Sequence, residues 1–257
     1  MRAAETKTLL LRKRLYPVSL SLAWRLSHFF PYALGGITFL IGSLCYFTSS
    51  SGLSVAGNYE LGGWLFTIGS AGFLFADVFE WSTNNRVGCF DTADERIEWE
   101  HVNSGFTSDG RKSLLRSCGP GWLRAENGIN FAYSALGSAL YLIGSAMFIP
   151  ETNLIVTGTW VFIFGSAIIF TSQSWKLYRY ESFVDDVPAV HVDFWAGAGG
   201  LLYLIGSVQF LPAYDLTDAD TNAAAAWFTA GGTAFTLSGI AILYRYFIAS
   251  PPMYPTA

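Results

Sequence analysis

Apolar and polar stretches alternate along the chain. Apolar runs occupy 29–48, 61–79, 129–149, 154–175, 194–212 and 223–247. Crossing the hydrocarbon core of a bilayer takes roughly 20 helical residues, range 17–25, and each run is of that order. None carries Lys or Arg in its central stretch, and Asp77 is the acid set inside a run. The pattern predicts six transmembrane helices.

Within the runs a shorter pattern recurs six times. A glycine is followed four residues later by an aromatic and seven residues later by a small residue with a second small neighbour. The copies are Gly35/Phe39/Gly42, Gly62/Phe66/Gly69, Gly137/Tyr141/Gly144, Gly158/Phe162/Gly165, Gly199/Tyr203/Gly206 and Gly231/Phe235/Ser238-Gly239. Seven residues advance an α-helix by almost two turns and four by slightly more than one, so each helix presents notch, ring and notch on nearly one face. Small residues let helices approach closely in lipid, where van der Waals contact drives their association. The pattern is therefore expected to be a packing rule, with a ring from one helix filling a neighbour's notch. A polar path lined by the accompanying Ser and Thr residues is the functional alternative.

Charge gives the helices their directions. All 15 Lys and Arg lie in the N-terminal segment, in 82–128, in 176–192 or in the C-terminal part, whereas 49–60, 150–153 and 213–222 carry acids and no base. Bases accumulate on the cytoplasmic side of membrane proteins. Both termini are thus expected on the cytoplasmic or equivalent side. The six runs group as three parallel hairpin repeats, 29–81, 129–180 and 193–257 with the C-terminal tail. A basic arm precedes them at 1–28, and the connectors are 82–128 and 181–192. The fold class is an all-α integral membrane protein, multi-pass, in a plasma or organellar membrane.

Composition agrees with this placement. The chain of 257 residues is 52% hydrophobic and 13% charged, against about a quarter charged in soluble domains. The net charge of -4 says little, because the charges are segregated. Three cysteines form no framework: Cys45 lies in a span, and Cys89 and Cys118 lie in one connector. The N-terminal arm reads either as a basic cytoplasmic anchor or as an organelle transit sequence. In it, Val18, Leu22 and Leu26 share a helical face, which suggests a helix lying on an anionic membrane surface. The connector 82–128 mixes seven acids with six bases. Thr92 and Glu95 there have capping-box spacing, and the segment is the candidate docking surface for other membrane proteins.

Candidate chemistry is sparse. Asp77 either pairs with a base at the interface or marks an ion or proton site, as buried ionisable groups in membranes commonly do. His191 and Asp193, with Asp185 and Asp186 upstream, have donor types that suit a divalent ion. The plainer expectation for Asp193 is an N-cap at the start of the fifth span. No nucleophile elbow, phosphate loop or metalloprotease helix is present in the sequence. No metal, haem or chlorophyll is expected, since His28 and His191 stand at span edges and His101 in a connector. A lipid or carotenoid in the aromatic grooves is the cofactor class left open. The bilayer is the expected partner, and nucleic acid is not.

The runs GGITFLIGSLCYF, GGWLFTIGSAGFLF, GSALYLIGSAMF, GTWVFIFGSAIIF and GGLLYLIGSVQF resemble the YrhK-like membrane domain, a helical hairpin with FLIGS-type motifs. The resemblance covers the three hairpins and neither the arm nor the connectors. The last span departs from it, with FTLSG in place of a Gly-Ser ending. It implies a multi-span membrane protein without an assigned activity and carries over no catalytic residue. A non-enzymatic structural or accessory subunit of a membrane assembly is the expected role. A passive channel or facilitator for small neutral or weakly polar solutes is the alternative.

Overall fold

In a computed structural model of the chain, the described residues are 22–48, 55–89, 120–179 and 187–249, with side chains of 83–89, 120–128 and a few residues at segment ends excluded. They contain six long helices and no strand: α1 (Leu22–Leu44), α2 (Val55–Cys89), α3 (Pro120–Met147), α4 (Ile155–Arg179), α5 (Val187–Gln209) and α6 (Asp218–Leu243). A 3-10 turn, Pro150–Thr152, joins α3 to α4, and a π-helical turn, Tyr244–Ala249, continues α6. Among the described residues, four segments are long and apolar enough to cross a membrane: Asn58–Ser82, Ile155–Tyr178, Val187–Gln209 and Asp218–Ala249.

The helices form a closed ring. Each packs on its predecessor and successor in the chain, and α6 packs back on α1. Neighbours run antiparallel all the way round. Gly35 faces Phe73 while Gly42 faces Phe66, and Gly137 faces Ile169 while Gly144 faces Phe162. At the closing seam Gly36 meets the backbone at Phe235, and Gly232 meets the backbone at Leu40.

Aromatic side chains fill the ring. Phe39, Phe66, Tyr141, Phe162, Tyr203 and Phe235 are all buried. Phe39 alone has centroid distances of 5.0 Å to Phe66, 5.2 Å to Tyr203, 5.6 Å to Tyr141 and 5.9 Å to Phe235. Other large apolar side chains of the same helices face outward, among them the aliphatic Ile37, Ile41 and Ile68 and the aromatic Trp64 and Phe164. The two faces therefore differ in size and shape more than in polarity. A water-soluble helix keeps polar residues outside, whereas here the outer face is as apolar as the core.

Rings sit in the glycine notches of adjacent helices. A methyl group at Gly69 would lie 2.6 Å from the Phe39 ring, and one at Gly42 2.9 Å from Phe66. The same exchange joins Tyr141 to Gly165 and Phe162 to Gly144, each at 3.0 Å. Between α5 and α6 the register differs from the expected one. Gly206 receives Phe228, and Gly231 receives Tyr203 at 2.5 Å. The spatial counterpart of Gly62/Phe66/Gly69 in α6 is thus Ala224/Phe228/Gly231, one heptad before the copy assigned from the sequence. Gly239, placed in that copy, has only ordinary contacts, the nearest at 3.5 Å from Ala33.

Buried hydroxyls near the motif bond within and across helices. Ser43 Oγ donates to the Phe39 carbonyl (2.6 Å) and lies 2.7 Å from Tyr203 Oη. Ser70 and Ser145 pair at 2.9 Å, and Tyr141 pairs with Ser166 at 3.0 Å.

Several boundaries differ from the sequence expectation. Residues 22–28, assigned to the arm, form the first turns of α1 and carry the buried His28, because Trp24 packs on Phe79 of α2 and both Trp24 and His28 pack on Tyr246 of the π-helical turn. The helix continues through Pro31. α2 and α3 extend to Cys89 and from Pro120, shortening the 82–128 connector from both ends. Its Thr92/Glu95 capping box lies outside the described residues. A capping box does occur at Thr217 and Asp220, starting α6.

Candidate functional site

The heptad spacing that fills the ring also opens it at one end. Seven residues beyond the central rings of α1, α3 and α5 stand Tyr46, Phe148 and Phe210, which close one end with aromatic contacts. Seven residues before those rings stand Tyr32, Ser134 and Ala196. Two of these three are small, and a cavity lies there. Its lining includes Tyr32, Asp77, Ser134, Ser138, Gln173 and Ala196, over a floor of Tyr141, Ile169, Phe73 and Phe235.

Asp77 is the centre of this cavity's chemistry. Its Oδ1 accepts from Ser134 Oγ at 3.1 Å, and its Oδ2 accepts from Ser138 Oγ. Both serines are on α3 and are buried. They are four residues apart, so one helical face presents both hydroxyls to one carboxylate. Gln173, on α4, is 6% exposed, and the described residues give its Oε1 no hydrogen-bond partner. Tyr32 Oη lies 2.9 Å from Ser238 Oγ, which donates to the Val192 carbonyl at 2.8 Å.

Charged groups stand one turn nearer the same end. Lys176 Nζ is 3.8 Å from Asp193 Oδ1 and 5.2 Å from the centre of the Phe131 ring. Glu80, Asp193 and Asp77 all act electrostatically on Lys176. Beside them His28 Nδ1 lies 3.1 Å from Tyr246 Oη, and the His28 ring stacks on Trp24 at 5.3 Å. Trp24 packs on His28, Phe79 and Tyr246.

The three candidate polar residues are not one site. Asp77 lines the cavity, and Asp193 is buried beside Lys176. His191 is exposed, because two residues of separation turn it onto a different face of α5. Asp193 is not an N-cap, since α5 begins at Val187. Among the described residues no three His, Cys, Asp or Glu side chains gather to hold a metal. Ser134, Ser138 and Gln173 were not singled out in the sequence. A signal for one was present: Asp77 and Gln173 each stand seven residues beyond the serine of a Gly-Ser pair, Ser70 and Ser166.

Comparison of the chain with protein-family models, curated proteins and solved structures gave no match.

Proposed function

We propose that this chain is a non-enzymatic, multi-pass membrane protein that serves as a structural or accessory subunit of a membrane assembly. In this reading all six helices cross the bilayer. They pair as three parallel hairpin repeats of YrhK-like character, with both termini on the cytoplasmic or equivalent side. The observation that carries it is the combination of a solid aromatic core with an outer face of large aliphatic and aromatic residues. An apolar exterior of this extent belongs in lipid or against another apolar protein. A passive path for solutes would require the packed core rings to part, so their mutual contacts weigh against the channel reading.

The one-sided distribution of bases supports the orientation, and the charged 82–128 connector is the proposed contact for partner proteins. Extraction of the full chain from its native membrane in mild detergent, followed by mass measurement, tests the role. A defined assembly heavier than one chain is expected. A monodisperse monomer, or solute flux through liposomes containing the purified protein, would overturn it.

A further inference from the structure

The cavity at the Tyr32 end of the ring is built like a cation site. It brings together a carboxylate, two serine hydroxyls and a primary amide from three different helices, α2, α3 and α4. Ser134 and Ser138 spend their protons on Asp77, which leaves hydroxyl oxygen lone pairs available as acceptors. Among the described residues Gln173 Oε1 is buried without a partner, and leaving a buried carbonyl oxygen unpaired is unfavourable. The cluster thus offers oxygen acceptors from Asp77, Ser134, Ser138 and Gln173, and its one formal charge is negative. The room between them matches a single water-sized occupant.

We infer that this cavity binds a small monovalent cation of the sodium class, held by Asp77, Ser134, Ser138 and the amide oxygen of Gln173. Hard cations take oxygen ligands, and calcium takes six to eight of them, commonly with several carboxylates. A lone carboxylate with a few neutral oxygens falls short of that set. Lys176 lies close enough to act on Asp77 and further disfavours a doubly charged ion. A bound monovalent ion neutralises Asp77, gives Gln173 a partner and ties α2, α3 and α4 together at the end where the aromatic packing is incomplete. The ion is structural in this arrangement, and the site is independent of the proposed role of the whole protein.

The test uses the full chain in detergent micelles or nanodiscs prepared in choline chloride. Sodium chloride replaces choline chloride at constant ionic strength while thermal unfolding and bound radioactive sodium are measured. A saturable rise of the midpoint and saturable binding of one sodium per chain are expected, with a weaker response to potassium. Asp77→Asn should weaken sodium binding by at least about tenfold, the equivalent of about 1.4 kcal/mol. Gln173→Leu and Ser134→Ala should each weaken it by a smaller factor, and they keep the test decisive if Asp77→Asn does not fold. Trp64→Ala, on the outer face, should leave it unchanged. Equal midpoints in sodium and choline with no bound sodium would overturn the inference and leave water as the occupant. Sodium binding that survives both Asp77→Asn and Gln173→Leu would overturn it as well.

Discussion

Phe39 is the perturbation that separates the inside of this ring from its outside. Its side chain is fully buried and meets the rings of Phe66, Phe73, Tyr203, Tyr141, Phe235 and Phe162 at centroid distances of 5.0 to 6.1 Å. In lipid the usual transfer of apolar surface out of water contributes little to packing, because the separated helices remain in an apolar medium. What Phe39→Ala removes is contact. The missing ring leaves about 100 Å³, and at about 24 cal/mol per Å³ of cavity the loss is about 2.4 kcal/mol. Lost ring–ring preference adds about 0.5–1.5 kcal/mol. The expected total is about 3–4 kcal/mol.

The control is Phe30→Ala on the same helix, where the ring is 61% exposed. Lipid or detergent replaces that ring's contacts, so the cost should stay within about 0.5 kcal/mol. Both variants can be compared by reversible unfolding in mixed micelles of mild and denaturing detergent, followed by tryptophan fluorescence. Similar costs for the two substitutions would refute the assignment of the motif aromatics to a packed core. A cost below about 1 kcal/mol for Phe39→Ala would refute the magnitude argument.

The register of α6 yields a second comparison. Gly231→Ala should destabilise by about 1–3 kcal/mol, because the new methyl would lie 2.5 Å from the Tyr203 ring. Gly239→Ala has space and should be neutral or stabilising by up to about 1 kcal/mol through helix propensity. The opposite ranking in unfolding titrations would restore the Gly231/Phe235/Gly239 alignment. For orientation, single cysteines at Thr152 and Tyr178, both exposed positions, are expected to react with a membrane-impermeant maleimide from opposite sides of sealed vesicles. Labelling of both from one side would refute the crossing of the membrane by α4.

Part of the cavity site was legible in the sequence because charge is rare within the apolar runs. Asp77 stood out as an acid inside such a run. Ser134, Ser138 and Gln173 did not, since serine occurs throughout the chain and an uncharged side chain gains meaning only from its neighbours. His191 and Asp193 stood together in sequence and invited a joint reading that the turn of α5 divides. His28 stands at an edge in the sequence because the apolar run begins after it, at residue 29, as it does after Trp24. The extension of α1 and its contact with Tyr246 make them part of the packed end.

The local pattern of residues sets the helices and the type of contact between them. Apolar length and the three- and four-residue spacing of glycine and aromatic side chains are local properties, and they persist whatever the helices pack against. It also determined which segments carry the bases. Packing in three dimensions set the rest: closure of α6 on α1, the heptad on α6 that engages α5, and the convergence of Asp77, Ser134, Ser138 and Gln173. The physical reason is degeneracy under translation. A helix with small and aromatic residues repeating every seven positions presents nearly the same face after a slip of two turns. Gly231 can serve as the first notch of one copy or the second of another, so periodicity alone cannot choose between them. The choice is made by steric fit, with Phe228 against Gly206 and Tyr203 against Gly231. At the far end the inward positions of α1, α3 and α5 are Tyr32, Ser134 and Ala196, and the cavity lies there.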